Sequence, residues 1–200
     1  MAKLKLTKNE QKKQKDSLKR FQRYLPTLML KKQQLQAEIR TIELKVTELR
    51  QEKEKSLAKI KKWVAVFGEA GVFTQDILQI KKMLISEGNV AGVAIPVFED
   101  AEFVIAAYDL LEKPLWLDAA VDFMKSELLL DLQMQCMEEQ QRRLRKELQT
   151  TSQRVNLFEK IKIPEAKATI KKIGIYLGDQ QTAAVVRGKI SKRGMERGGK

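Results

Sequence analysis

Three groups of residues have types and spacings that could support chemistry, and the first lies near the C-terminus. The run Gly188-Lys189-Ile190-Ser191 resembles the end of a phosphate-binding loop. Such a loop needs its leading glycine where this chain has Ala183, and its hydroxyl residue should follow the lysine directly. We therefore interpret the run as part of a basic tail.

The second group is a pair of acids, Asp118 and Asp122, which are one helical turn apart and could share a cation or a proton. Pro114 lies just upstream, so the pair falls where a helix is expected to begin. Acids in a first helical turn are stabilised by the helix macrodipole. We favour this structural interpretation over a cation site.

The third group consists of Met124, Met134 and Met137 around Cys136, which together offer soft sulfur ligands. Met134 and Met137 fall on the apolar seam described below, and methionine commonly fills gaps in hydrophobic cores. The sequence therefore predicts core packing here, with no metal and no cofactor.

The composition narrows the function classes further. The chain of 200 residues has no histidine, which removes the commonest general base and the commonest metal ligand. Its single cysteine excludes an intrachain disulfide. The sequence has no run of eighteen apolar residues, so we predict no transmembrane helix. We expect no catalytic residues and a non-enzymatic protein.

A long apolar seam organises the first third of the chain. Alternating steps of three and four residues from Leu18 to Phe67 select fifteen positions, and twelve of them are apolar. An a/d repeat of this length predicts a helix that needs a partner helix. Pro26 lies inside it, and the seam keeps its phase there, which fits a kink, although a helix beginning at Leu25 also fits. Thr7 and Glu10 have capping-box spacing, so the helix should begin near Lys8.

A second seam supplies the partner helix. From Ala120 to Phe158 the same step meets twelve positions, nine of them apolar, and it slips by one residue near Ile163-Pro164. The predicted fold is therefore dominated by α-helix, as a long antiparallel two-helix coiled-coil hairpin. Its predicted seam includes residues of both arms: Leu35, Ile39, Ile42, Val46, Leu49, Leu144, Leu148 and Val155.

The predicted division has three parts: a helix over residues 1–67, a compact acidic segment over 68–116, and a helix with a basic tail over 117–200. In the middle part, residues 90–98 read as one arm of a small hairpin or an extended loop, paired with residues 83–85 through Glu87-Gly88-Asn89. Residues 102–111 read as a short helix that Pro114 ends.

Charge is distributed unevenly over these parts. The net charge of +13 divides into +12, −5 and +6 for residues 1–67, 68–116 and 117–200. Both termini are basic, so they could be a solvated face, a protein-binding surface or a polyanion-binding surface. Trp116 could anchor either the middle segment or a partner.

Several short motifs resemble the D subunit of the V/A-type (vacuolar/archaeal-type) ATPases, and they extend over both arms and the middle of the chain. They are Thr7-Lys8-Asn9-Glu10, Leu18-Lys19-Arg20, Leu25-Pro26-Thr27-Leu28, Leu30-Lys31-Lys32, the run GNVAGVAIP at 88–96, Arg154-Val155-Asn156, Glu159, Ile163-Pro164, Thr169-Ile170 and Ile173. The chain departs from the family around residues 24–30 and at residues 179–182, which indicates a divergent bacterial branch.

The resemblance implies a central rotor shaft at the cytoplasmic face of a membrane. Its implied partners are the catalytic and regulatory head subunits, a small F subunit, and a funnel-like subunit on the membrane ring. For the head end we expect contacts from basic residues: Lys8, Lys12, Lys13, Lys15, Arg187 and Lys189. For the membrane-ring end we expect Glu99, Asp100, Glu102 and Trp116. A basic coiled-coil scaffold that binds nucleic acid or an anionic membrane surface is the alternative.

Overall fold

The computed structural model describes residues 5–61, 77–109 and 112–198. Its elements are α1 (Lys8–Ile60), β1 (Leu78–Val90), β2 (Val93–Ile105), α2 (Trp116–Asn156), a π-helical turn (Leu157–Lys162) and α3 (Ile163–Gly198). The chain divides into two compact units: unit 1 contains residues 1–31 and 150–200, and unit 2 contains residues 32–149. The last positions of the predicted first seam, after residue 61, and the predicted boundary at residue 68 lie outside the described residues.

Helix α1 begins where the capping residues predict. The Glu10 backbone N–H donates to Thr7 Oγ1 over 3.3 Å, which confirms the predicted start at Lys8. Pro26 lies inside this 53-residue helix, so the alternative of a helix beginning at Leu25 is wrong. The Thr27 hydroxyl donates to the Tyr24 carbonyl over 2.8 Å beside the proline.

In unit 2, α1 and α2 run antiparallel, as the ion pairs between them show. As the residue number rises along α1, the number of its partner on α2 falls. Arg145 binds Glu43, Glu138 binds Arg50, and Asp131 binds Lys53. Between the helices, one cluster of buried apolar residues includes a residue of the sheet: Leu35, Ile39, Ile42, Val46, Ile95 and Leu144. Leu49 and Leu148 of the predicted seam are half-buried.

The two strands form an antiparallel hairpin whose turn is Ala91-Gly92. Both turn residues have positive φ, 50° and 80°, and the Gly92 N–H donates to Asn89 Oδ1 over 2.9 Å. Two positive φ values define the tight turn that suits the twist of paired strands. The predicted hairpin is confirmed, but its turn lies at 91–92 rather than 87–89, and residues 83–85 pair with residues 98–101 rather than along the predicted arm 90–98.

The predicted short helix over residues 102–111 is wrong for all of its described residues, 102–109, none of which is helical. Residues up to Ile105 continue β2, where Phe103 pairs with Ile80 and Ile105 with Leu78. Phe103 packs toward the buried cluster of Ile77, Leu78, Leu117 and Val121. This tertiary packing decides the strand, because local periodicity over ten residues separates helix from strand poorly. Residues 110–111 lie outside the described part.

In unit 1, α1 again runs antiparallel to the C-terminal helices. Phe21 stacks on Phe158 with ring centroids 5.3 Å apart, and Gln11 lies beside Gly174. Val155, Ala166 and Ile173 are buried along this side. The predicted fold class is confirmed, since helices dominate, each unit pairs them antiparallel, and the small sheet lies in the middle of the sequence.

The predicted register slip is confirmed as a π-helical turn. The Ile163 N–H donates to the Phe158 carbonyl five residues earlier, so the turn holds one residue more than an α-helical turn. Buried Val155 and Ala166 are separated by eleven residues across this turn, whereas Ala166 and Ile173 are separated by seven. The extra residue returns the apolar face of α3 to α1.

Candidate functional site

The basic residues predicted for the head end all lie in unit 1. Lys8, Lys12, Lys13 and Lys15 are exposed on the first turns of α1, and Arg187 and Lys189 are exposed on α3. Lys8, Lys12 and Lys15, joined by Lys19, follow the helical repeat along one side of α1. They line a shallow groove of about 430 Å³. None of these four lysines forms an ion pair with another described residue, so their charge is available to a partner.

The end of α3 in unit 1 extends beyond the start of α1. Since Gln11 lies beside Gly174, the first residue of α1 reaches the level of about Leu177. The rest of α3 exposes large apolar side chains, including Val185 at 59% and Ile190 at 65%. Arg187 and Lys189 lie among them. The overhang therefore combines an apolar surface with positive charge, which sequence analysis treated only as a basic tail.

The acids predicted for the membrane-ring end lie on β2 in unit 2. Glu99, Asp100 and Glu102 are exposed. Glu102 pairs with Lys81 over 3.3 Å, and Asp100 Oδ1 accepts from the Ala101 N–H over 2.7 Å. Trp116 is half-buried at the start of α2 and packs against the Ile77–Leu117 cluster. This packing fits a role as anchor of the middle segment, and its predicted contact with a partner stays a prediction.

Side chains of α2 hold the outer edge of β2. Gln140 Nε2 and Cys136 Sγ both donate to the Pro96 carbonyl, over 2.5 Å and 3.5 Å, and Arg143 donates to the Ala94 carbonyl over 3.3 Å. These bonds occupy carbonyls that an edge strand would otherwise expose. The hairpin is therefore fixed to α2 along this edge.

Cys136 and Asp118, two of the residues considered for chemistry, have structural roles. Burial raises the pKa of the Cys136 thiol, which makes it a poor nucleophile. Asp118 lies in the first turn of α2 and accepts from the Tyr108 hydroxyl over 2.6 Å, and this bond raises the pKa of Tyr108. Gly188 and Lys189 lie within α3 rather than in a loop. The described residues contain no group of three or more acids and cysteines that could hold a metal.

Charged residues beside the seam of unit 2 link its two helices, and sequence analysis did not single them out. Glu43 Oε1 accepts from Gln141 over 3.0 Å and from Arg145 over 2.8 Å, while Arg50 pairs with Glu138 over 3.1 Å. Glu43 follows Ile42, and Arg145 follows Leu144. Opposite charges flanking an a/d repeat were the signal that could have revealed them.

These features describe a helical assembly component, with paired helices for stiffness and charged or apolar surfaces for partners. None of the helices in the described residues has an apolar stretch long enough to cross a bilayer. Comparison with known proteins agrees with this class. The family described as the D subunit of ATP synthase matches residues 10–193.

Curated relatives that are named as D subunits of V-type ATP synthases match nearly the full chain. The protein from Borreliella burgdorferi is 51% identical over 96% of this chain and 95% of its own length. Those from Chlamydia abortus and Chlamydia muridarum are 35% and 34% identical, each over 95% of this chain and over 92% and 95% of their own lengths. The chain belongs to the family of ATP synthase D subunits. It is a non-catalytic component of a rotary ATPase, as the resemblance implied.

Proposed function

We propose that this chain is the central-stalk rotor shaft of a V/A-type ATPase. It couples ATP synthesis or hydrolysis in the catalytic head to ion translocation through the membrane ring, at the cytoplasmic face of the membrane. The observation that carries the proposal is chemical asymmetry on a paired-helix scaffold. Unit 1 has a net charge of +16, from 22 lysines and arginines against 6 acids, whereas unit 2 has −3, from 17 against 20.

Unit 1 is proposed to bind the catalytic and regulatory head subunits. The lysines on one side of α1 have no ion-pair partner among the described residues, and the overhang of α3 exposes Val185, Val186 and Ile190. An apolar surface with a basic rim suits a protein socket better than open solvent. Lys8, Lys12, Lys13, Lys15, Arg187 and Lys189 are the proposed contacts.

Unit 2 is proposed to meet the funnel-like subunit on the membrane ring, with the small F subunit bound alongside. The exposed acids on β2 support this, together with Ile105 at 46% and Leu115 at 93% exposure. Trp116 is proposed to act here through packing, because it positions the start of α2 beside the hairpin.

The proposed mechanism treats the shaft as a ligand. Each catalytic interface meets a different side of an asymmetric shaft, and each orientation therefore stabilises open and closed interfaces unequally. Changing one interface from 1:99 to 99:1 needs about 5.5 kcal/mol of differential contact, which several side chains and a displaced charge can supply. Rotation then follows hydrolysis, or drives synthesis.

Torque also requires that the helices do not slide past each other. In unit 2 the buried cluster around Leu35 and Leu144 and the cross-helix ion pairs at Arg145 and Arg50 oppose such sliding. Packing in the cluster supplies most of the resistance, because ion pairs at exposed positions contribute only about 0.2–1 kcal/mol each.

The test is a paired glycine substitution in the assembled complex. Ile42→Gly with Val46→Gly removes two buried seam side chains. Relative to wild type, we expect coupled ion transport to fall much more than ATP hydrolysis does. Arg40→Gly with Leu44→Gly is the matched control, since both positions are exposed and the loss of helix propensity is at least as large. An equal fall of both activities in the seam variant would contradict the shaft mechanism.

The basic charge of unit 1 also supports the alternative, a scaffold that binds nucleic acid or anionic membranes. Co-purification of the tagged chain with head subunits supports the shaft. Binding to nucleic acid with a steep negative salt dependence, or sedimentation with anionic liposomes, supports the scaffold. Lys8, Lys12 and Lys15 changed together to Gln should weaken co-purification if the head contact is correct.

A further inference from the structure

We propose that the last two turns of α1, residues 53–60, are a built-in weak point of unit 2, where this helix separates from α2 in local openings. The observation behind it is a buried carboxylate that the proposed rotor mechanism does not use. Glu127 on α2 is only 9% exposed, and both of its carboxylate oxygens are buried. Neither oxygen has a hydrogen-bond partner within the described residues.

A carboxylate in this position loses its hydration without gaining a hydrogen bond from any described residue. Buried polar groups in folded proteins nearly always have a partner, since the lost hydration is otherwise uncompensated. The closed arrangement around Glu127 is therefore destabilised relative to one in which water reaches its oxygens.

The partners of neighbouring residues show what Glu127 faces. Glu138 pairs with Arg50, and Asp131, further toward the start of α2, pairs with Lys53. Glu127 lies one more helical turn in that direction. In an antiparallel pair it faces the next turn of α1 after Lys53, which contains Ser56 and ends at Ile60.

The turns of α1 that face Glu127 provide little to hold them closed. Ser56 is half-buried, and Lys53, a seam residue, already binds Asp131. Lys59 and Lys61 at the end of α1 are exposed and form no hydrogen bond with Glu127. By contrast, the turns from Leu35 to Val46 are held by the apolar cluster that includes Ile95 of the hairpin. Apolar contacts hold α1 to α2 at residues 35–46 of α1. At residues 53–60 the two helices instead enclose the carboxylate of Glu127, which has no hydrogen-bond partner among the described residues.

Local openings occur where buried apolar contact is least and closing costs most. Separation of residues 53–60 from α2 hydrates Glu127 and sacrifices the burial of Ile60 and the ion pair between Lys53 and Asp131. We therefore expect the amides of residues 53–60 to open far more often than those of residues 35–46.

Hydrogen exchange of the full-length chain, followed by mass spectrometry, tests this inference. In Glu127→Leu we expect exchange at residues 53–60 to slow by about tenfold or more, because a hydrophobic residue of similar size removes the buried charge. Exchange at residues 35–46 should stay unchanged. Asp122→Leu, the same kind of substitution at an exposed site on α2, should leave residues 53–60 within about twofold of wild type.

Unchanged or faster exchange at residues 53–60 in Glu127→Leu would overturn the inference. Glu127→Gln provides a second reading that keeps the shape of the side chain. We expect slower exchange there too, by a smaller factor, because a neutral amide is less costly to bury than a carboxylate. Faster exchange in Glu127→Gln would show that the charge holds the helices together, and would equally overturn the inference.

Discussion

The two units have the same antiparallel helix pairing but differ in whether their charged side chains form ion pairs between the helices. In unit 2, three ion pairs join α1 to α2, and the net charge is −3 from 17 basic and 20 acidic residues. In unit 1, the lysines along one side of α1 have no such partner among the described residues, and the net charge is +16 from 22 and 6. The charges of unit 2 hold its own helices in register. In unit 1, Lys8, Lys12, Lys15 and Lys19 have no ion-pair partner among the described residues.

The comparison extends to the apolar contacts. Unit 2 has a buried cluster to which both helices and the hairpin contribute, whereas unit 1 buries single residues such as Val155, Ala166 and Ile173 along a two-helix seam. A three-element core resists deformation more than a two-helix seam, because each side chain is enclosed on more sides. The difference indicates that unit 2 is internally more rigid than unit 1.

The largest expected effect comes from truncating the core. Leu144→Ala should destabilise unit 2 by about 3–4 kcal/mol, since a fully buried leucine leaves a cavity that three packed elements cannot fill. Ile173→Ala, also fully buried, should cost unit 1 about 2–3 kcal/mol, because a two-helix seam can relax into the space. Urea unfolding followed by circular dichroism measures both. A larger loss for Ile173→Ala would reverse the comparison.

The next effect concerns the π-helical turn, which absorbs one extra residue. Deleting exposed Ile161 should convert the turn to α-helix and leave Ala166 and Ile173 facing α1. Deleting exposed Lys167 shortens the spacing between these two buried residues from seven to six, and should cost about 2–3 kcal/mol of unit 1 stability.

Both deletions are best made together with Pro164→Ala, because a proline inside a regular α-helix clashes with the carbonyl four residues earlier. Urea midpoints and helical content then separate the two cases. If the Ile161 deletion destabilises the chain as much as the Lys167 deletion, the π-turn has a role beyond adjusting the register.

A smaller effect compares single charges in the two units. Arg145→Gln removes a cross-helix pair with Glu43 and should cost unit 2 about 0.5 kcal/mol, since both side chains are substantially exposed. Lys12→Gln should cost unit 1 nothing, or stabilise it slightly, because it removes repulsion among unpaired cations. Thermal unfolding at low salt measures the difference. A clear loss for Lys12→Gln would show that the lysine has a partner in solution.

The helices and their seams could be predicted from the sequence because the apolar period is long and consistent. The same period located the one-residue slip before Pro164, and the capping pair Thr7 and Glu10 located the start of α1. The end of β2 could not be predicted, because Phe103 and Ile105 belong to the strand only through packing and pairing with distant residues. The local sequence pattern gives no information about such long-range contacts.

The residues of the candidate site also differ in how far the sequence could predict them. The basic residues of unit 1 stand out in the composition, and the structure leaves them exposed. The attachment of β2 to α2 through the Pro96 and Ala94 carbonyls could not be foreseen, since backbone acceptors carry no sequence signal. The cross-helix pairs needed the register of two helices, which residue spacing on one helix does not fix.

The smallest effect is a titration in the ion-pair network of unit 2. Glu139 accepts from Arg142 and Arg143 over 2.6–2.8 Å, and these bonds lower the pKa of Glu139 from 4.5 to about 2. A carboxyl whose pKa is lower in the folded state stabilises it above the unfolded pKa. That contribution is present above about pH 4.5 and is lost as the pH falls toward 2.

Replacing Arg142 and Arg143 by alanine should therefore return the pKa of Glu139 toward 4.5, as followed by the carboxyl carbon shift in an NMR titration. Arg40→Ala, on α1 and not a partner of Glu139, should leave that pKa unchanged. Arg143 also donates to the Ala94 carbonyl, so Arg143→Ala should in addition speed amide exchange in the hairpin, whereas Arg142→Ala should not. If both single variants behave alike, the hairpin is held to α2 by Gln140 and packing, and the arginines serve only the carboxylate.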